Sequence, residues 1–272
     1  MKFALNYSPQ AAALLAASDI EIDLYKAADW PDMIADARRQ RPVYVHFPLL
    51  AGRGLPDDAR RAEIESMWAS TDTPHLNTHL APHAGQMGVA LDTTAPADTN
   101  RLIDAMLRDI WPLVARYGSG HIVLENAIWD PDYAIPRPVL EPAVICRVVY
   151  ETGCGFLLDT AHAVASARYL GMDERAYINA LPVDRLRELH ITGLRYQDGR
   201  WHDHYPLTSD DWALTNWVFD SIRAGEWEMP WGVAFEYGGS GAHFAFRTDS
   251  AVIADQVPRL YALTHSVPEV AL

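Results

Sequence analysis

Gly155-Phe156-Leu157-Leu158-Asp159-Thr160-Ala161-His162 is the stretch whose reading decides the fold. Four apolar residues, Gly155 to Leu158, run straight into a carboxylate, and an imidazole follows three positions later. An apolar run this short reads as a strand buried on both faces. The change to Asp159 and His162 is what a parallel strand shows where it leaves the core for a site. Taken alone, the stretch reads two ways. Asp159 caps the next helix with His162 in its first turn, or the two side chains do chemistry. The other strands must decide.

Working outward, candidate strands recur at residues 3–7, 20–25, 42–47, 76–80, 121–126, 155–159, 186–191 and 232–237, eight in all. Helical patterns separate them. Leu102, Ile103, Met106, Leu107, Ile110, Leu113 and Val114 repeat at helical spacing and make one broad apolar face. Residues 138–150 read as another helix, with Gly153 and Gly155 punctuating its exit. Thr208-Ser209-Asp210-Asp211 has capping-box form ahead of Trp212, Leu214 and Trp217. The three prolines between Trp129 and Pro138 mark a long loop. Eight strands alternating with helices predict an α/β fold, a single (β/α)8 TIM barrel spanning residues 1–272 as one domain. The alternative, an open doubly wound sheet, lacks a Gly-rich phosphate loop after its first strand, and Gly52-Arg53-Gly54 has neither the spacing nor the following helix of one.

The bulk numbers agree with a soluble globular protein. A chain of 272 residues with 49% hydrophobic content supplies a sizeable core, and no window has the length and apolarity of a membrane span. The N-terminus enters a strand-like run without a signal-peptide layout, so a cytoplasmic location is expected. Cys146 and Cys154 are then reduced and structural. A net charge of −14 disfavours a dedicated nucleic-acid binder, which needs patches of Lys and Arg to neutralise phosphates.

In such a barrel the C-terminal strand ends carry the site. Strand three ends in His46, four in His79, five in Glu125 and Asn126, six in Asp159 with His162 beyond it, seven in His190 and eight in Glu236. The loop after strand seven adds Trp201-His202-Asp203-His204-Tyr205. Each residue alone reads as a hydrogen-bonded core histidine or a solvated carboxylate. Six successive strands ending this way do not, because imidazoles and carboxylates crowded at one mouth desolvate and repel one another unless a cation compensates them. Alternation in an extended segment points His202 and His204 the same way and Asp203 outward. His83 is a weaker candidate, in a loop after Pro82; His75, His121, His243 and His265 have no comparable placement. His46, His79, Glu125, Asp159, His162, His190, His202, His204 and Glu236 make nine candidate ligands, and with about four to six ligands per ion they imply two or three divalent ions. Glu125 and Glu236 are placed to bridge metals or to move protons. Asn126, Arg195 and Tyr205, with Arg53, Trp129, Tyr133 and Tyr196 around them, would face a polar or peptide substrate.

The chain resembles the xylose isomerase-like TIM-barrel superfamily, and within it the multinuclear non-haem iron-dependent oxidative enzymes, whose members include the methanobactin-biosynthesis oxygenase. The resemblance is best between Val123 and Glu236. It rests on Leu124-Glu125-Asn126, on the run from Thr152 to Asp159, on the run from Ala180 to Gly193, and on the His202 to Pro206 loop. It implies iron at the mouth, oxygen-dependent modification of a substrate that includes Cys-containing peptides, and zinc or manganese as the other metals to weigh. Two positions depart from the family pattern: His162 stands where an Asn is usual, and His202 where an Asp is usual. The Asp-x-x-His form is similar instead to the type IV apurinic endonucleases, which hold three zinc ions. Three other readings therefore stay open: a sugar isomerase or epimerase using Glu125 and Glu236 for proton exchange, a zinc phosphodiesterase, and a binding scaffold with a structural metal.

Overall fold

The computed structural model describes residues 1–242 and 244–267, so His243 lies outside the described residues. Eleven strands follow one another: β1 (Lys2–Asn6), β2 (Leu24–Ala28), β3 (Val43–His46), β4 (Leu50–Ala51), β5 (Leu76–Leu80), β6 (Ile122–Glu125), β7 (Gly155–Asp159), β8 (Leu186–Ile191), β9 (Gly193–Gln197), β10 (Arg200–Tyr205) and β11 (Gly232–Phe235). Nine of them form one parallel sheet in the order β3-β2-β1-β11-β8-β7-β6-β5-β4, while β9 and β10 pair antiparallel as a hairpin. The first and last strands of the chain are thus neighbours, with Phe3 opposite Val233. A sheet that brings its chain ends together in parallel has to curl.

The two edges of this sheet, β3 and β4, are separated only by residues 47–49. Side chains stitch β3 and the residues after it to β5 and the residues before it. Asn77 Oδ1 accepts from the Phe47 amide at 2.7 Å while Asn77 Nδ2 donates to the Phe47 carbonyl at 2.8 Å, an amide imitating a strand backbone. Thr73 Oγ1 accepts from the Val45 amide at 2.8 Å.

Alternation along each strand divides the molecule into layers. Phe3, Leu5, Tyr25, Val43, Val45, Ile122, Leu124, Phe156, Leu158, Leu189, Val233 and Phe235 face the surrounding helices in one large core. Burying each large side chain of this kind contributes about 1.5–3 kcal/mol. The inward positions behave differently. Ala4, Leu24, Tyr44 and Ala234 pack with Trp231 into a small separate floor. Two residues further along the same strands the inward positions are Asn6, Lys26, His46 and Glu236, and the chain has left its apolar interior.

Each expected strand is present, with one displaced. The second was expected at 20–25 and lies at Leu24–Ala28. Lys26 breaks the apolar run, so the pattern ends early, while Ile20 and Ile22 are buried ahead of the strand. The helix over Leu102 to Val114 is longer, Pro96–Tyr117. The expected helix at 138–150 is two, Arg137–Leu140 and Pro142–Thr152, divided where Glu141 precedes Pro142 and takes an extended conformation. Gly153, at φ 69, closes the second of these in the left-handed region. Thr208 and Asp211 form the expected capping box. The β9–β10 hairpin was expected only as a loop. Its base needs Gly193, because a Cβ there would lie 2.1 Å from the Pro206 carbonyl oxygen. No helix among the described residues is long and apolar enough to cross a membrane.

Candidate metal centre

Parallel register brings the strand ends level. His79 lies beside Glu125, and Asp159 beside His190. Glu236 follows β11 directly, its amide donating to the Ile191 carbonyl at 2.9 Å. From β3 round to β11 the polar side chains therefore converge on one cavity at the C-terminal mouth. Glu125 is 1% exposed, Asp159 and His190 0%, Glu236 4% and His162 6%. At that burial no water shell offsets their charges.

The Asp159 and His162 ambiguity resolves in favour of both readings at once. The His162 amide donates to Asp159 Oδ1 at 2.8 Å, so Asp159 does cap the helix Thr160–Leu170. Its other oxygen, Oδ2, is buried without a hydrogen-bond partner and lies 3.8 Å from His162 Nε2. His162 Nδ1 lies 2.9 Å from the Asn126 carbonyl; that oxygen can only accept, so Nδ1 carries the proton and Nε2 is turned to the carboxylates.

Glu125 is the shared member. Its Oε2 lies 3.1 Å from His79 Nε2 and 3.4 Å from His46 Nε2. Its Oε1 lies 3.6 Å from His162 Nδ1 and 3.7 Å from His190 Nδ1. On the other side His190 Nδ1 is 2.9 Å from Glu236 Oε1, and His204 Nε2 is 3.7 Å from Glu236 Oε2. Among the described residues four triplets have ligand atoms mutually within 4.8 Å: His46–His79–Glu125, Glu125–Asp159–His162, Asp159–His190–Glu236 and His46–Glu188–His190.

Whether these residues suit a cation is tested by their unmet hydrogen bonds. Among the described residues seven buried side-chain polar atoms have no partner, and five belong to this cluster: His46 Nδ1, His79 Nδ1, Glu125 Oε2, Asp159 Oδ2 and His190 Nδ1. Leaving such a group unsatisfied costs about 1–3 kcal/mol each, and native proteins leave few. Imidazole nitrogens and carboxylate oxygens facing one another without hydrogen-bond geometry are the donor set of a divalent metal. The residues fit.

The protonation pattern carries the same strain. Burial, then the neighbouring Lys26 charge, pushes His46 well below the ordinary histidine value, which keeps it neutral as a ligand must be. Burial would raise Glu125, but the imidazoles of His79 and His46 outweigh it and hold the carboxyl well below its usual range. Glu236 goes the same way against burial, through His190 and Lys26. Burial, with Glu236 and Glu125 adding repulsion, raises Asp159 to about 6 despite the opposing pull of His162. His162 rises to about 10, because Asp159 and Asp203 outweigh its own burial.

Several expected site residues are placed otherwise. His202 does not enter the cavity; its Nε2 accepts from Arg200 Nε at 3.3 Å. Instead Asp203 points inward, its Oδ2 3.3 Å from His162 Nε2. The cause is local. The β9–β10 register shifts between His202 and Tyr205, and His204 takes φ 59, so alternation fails where it was relied on. Asn126 is wholly buried and clamps β7, donating to the Asp159 carbonyl at 3.0 Å and accepting from its amide at 2.9 Å, so it does not face a substrate. Arg195 binds the Leu194 and Pro206 carbonyls and Asp211, fastening the hairpin to the following helix. Tyr205 donates to Gln197 across the hairpin. His83 caps the short helix Ala84–Met87, accepting from the Gly85 amide at 3.1 Å.

Three residues were not foreseen. Glu188, 3% exposed, accepts from His190 Nε2 at 2.8 Å; its position two before His190 was a usable signal. Lys26 forms an ion pair with Glu236 Oε1 inside the mouth. Asp203 was assigned outward. Only the last was beyond reach of sequence periodicity.

Comparison with known proteins gives the family and the fold likeness of the chain. The family described as RiPP precursor modification enzyme MbnB/TglH/ChrH matches residues 22–226. A UPF0276 protein of Acaryochloris marina is 35% identical over 183 residues, 65% of this chain and 65% of the relative. One from Rhizorhabdus wittichii is 34% identical over 193 residues, 67% of this chain and 66% of the relative. The chain thus matches just under two thirds of the length of these curated relatives. In fold, it is similar to a mannonate dehydratase from Streptococcus suis, with a TM-score of 0.59 at 12% identity over 100% of this chain and 97% of that one. A sugar phosphate isomerase/epimerase from Parabacteroides distasonis gives a TM-score of 0.52 at 13% identity, covering 96% and 98%. At such identities the likeness is one of fold.

Proposed function

We propose that this chain, which belongs to the RiPP precursor modification enzymes of the MbnB/TglH/ChrH family, is a metal-dependent oxidative enzyme that modifies a peptide at the mouth of a (β/α)8 barrel formed by the whole chain. The observation that carries this reading is the set of five unpartnered buried polar atoms on the side chains gathered at the strand ends. His46, His79, Glu125, Asp159, His162, His190 and Glu236 would hold two or three divalent ions, with His204 at the rim and Glu125 shared between neighbours. Iron, favoured over zinc or manganese, would supply the redox chemistry toward dioxygen that no side chain here provides.

The chain's own residues do the rest. Glu125 and Glu236 are the groups placed to accept a substrate proton. Asp203 Oδ2 lies 3.3 Å from His162 Nε2 and adds a carboxylate to that side of the mouth. Asn126 fixes the strand end that carries Asp159, and Asn77 Nδ2 lies 3.1 Å from His46 Nε2 and steadies that ring. At the rim Tyr133 (55% exposed) stands near Arg200 and Arg247, and Arg247 lies over Phe246 (72%), a mixture of aromatic and guanidinium groups suited to an extended peptide.

Anaerobic purification followed by metal quantification, then oxygen uptake with a Cys-containing peptide, tests the reading. Stoichiometric iron and peptide-dependent uptake are expected. Stoichiometric zinc with no iron and no uptake would overturn the oxidative assignment.

A further inference from the structure

Four ligand triplets suggest up to four cation positions, but one of them already has a cation. Lys26 is 8% exposed and contacts Glu236 Oε1. That oxygen is also the one that meets His190 Nδ1 at 2.9 Å. Glu236 and His190 are two of the three members of the Asp159–His190–Glu236 triplet. Lys26 arrives there by strand geometry. It is the inward residue of β2 two positions beyond floor residue Leu24, with Asn6 beside it in register on β1. A metal bound by this triplet would share the Glu236 carboxylate with an ammonium group, in a site too dry to screen the repulsion.

We infer that Lys26 is a built-in monovalent cation that takes the place of a metal at Asp159, His190 and Glu236, leaving this chain with two ions, one at His46–His79–Glu125 and one at Glu125–Asp159–His162. The inference rests on the metal reading above and narrows it from two or three ions to two. Five carboxylates face the mouth or lie just beneath it: Glu125, Asp159, Glu188, Asp203 and Glu236. The fourth triplet is closed for another reason, since Glu188 already accepts the His190 Nε2 proton.

The test is metal stoichiometry, read by elemental analysis and independent of turnover. Full-length protein is loaded anaerobically with Fe(II), and separately with Zn(II), and desalted. Wild type and Lys26→Arg are expected to retain two ions per chain. Lys26→Glu supplies a sixth carboxylate, removes the ammonium and is expected to retain three. Lys26→Gln frees Glu236 without adding charge; it is expected to take up the third ion at higher metal concentration, and it keeps the test decisive if Lys26→Glu fails to fold. Three ions in the wild type, or no gain in any folded Lys26→Glu or Lys26→Gln protein, overturn the inference while leaving a metal centre in place. No retained metal in any variant overturns the metal reading itself, and the inference with it.

Discussion

The floor and the mouth of the sheet interior are built from the same strands two residues apart, yet they obey opposite rules. At the floor Ala4, Leu24, Tyr44 and Ala234 close on Trp231, with the buried Glu188 carboxylate against the Tyr44 hydroxyl. At the mouth Lys26, His46, Glu125, Asp159, His190 and Glu236 are nearly as inaccessible, and several of their polar atoms are unmatched. The comparison teaches that one side-chain period serves two purposes. The apolar layer stabilises the curled sheet, and that stability offsets the cost of holding unsatisfied ligands rigidly at its rim.

The largest effect should come from breaking the mouth at its shared member. Glu125→Gln removes a charge common to two of the triplets. Retained metal should fall below one ion per chain and activity by more than about 100-fold, while the far-ultraviolet circular dichroism is preserved. Full metal retention in this variant would show that Glu125 does not bridge. Breaking the floor should do the reverse. Leu24→Ala opens a cavity costing about 2–5 kcal/mol, read as a lowered Tm, with metal per folded chain unchanged. If the metal is lost along with stability, the two layers do not separate.

Glu188 lies between the layers and sharpens the boundary. Glu188→Gln weakens the acceptor that orients His190, which holds no ion in the two-ion centre; a buried hydrogen bond to a charged group contributes about 1.5–3 kcal/mol, so the Tm should fall while retained metal stays at two ions per chain. The smallest effect belongs to a residue outside both layers. His202→Ala should leave metal content unchanged, because its ring contacts Arg200 instead of the cavity. A lost ion there would mean that the bend at His204 straightens in the metal-bound protein.

Much of this architecture was legible in the linear pattern. Apolar runs ending in His79, Glu125, Asp159 and His190 located both the strands and the mouth, and the Thr208 capping box and Gly153 stop were local chemistry with local outcomes. The errors have physical causes too. Lys26 interrupts an apolar run, so β2 was displaced and its inward cation missed. The bulge before Tyr205 reverses the facing of Asp203 and His202, and no periodicity announces a bulge. Asn126, Arg195 and Tyr205 looked like free polar groups because their partners, β7, the Pro206 carbonyl and Gln197, are assigned only by folding.

In the regular strands β5 to β8 the sequence by itself determined which side chains point inward and at what depth, since that follows from a two-residue period within one segment. The tertiary structure decided which atoms meet. That Glu125 touches four imidazoles, that one oxygen of Asp159 caps a helix while the other is left free, and that Lys26 pairs with Glu236 from the other end of the chain are all consequences of register and curl. Register is set between strands, by packing of the whole sheet against its helices, and no single strand carries that information.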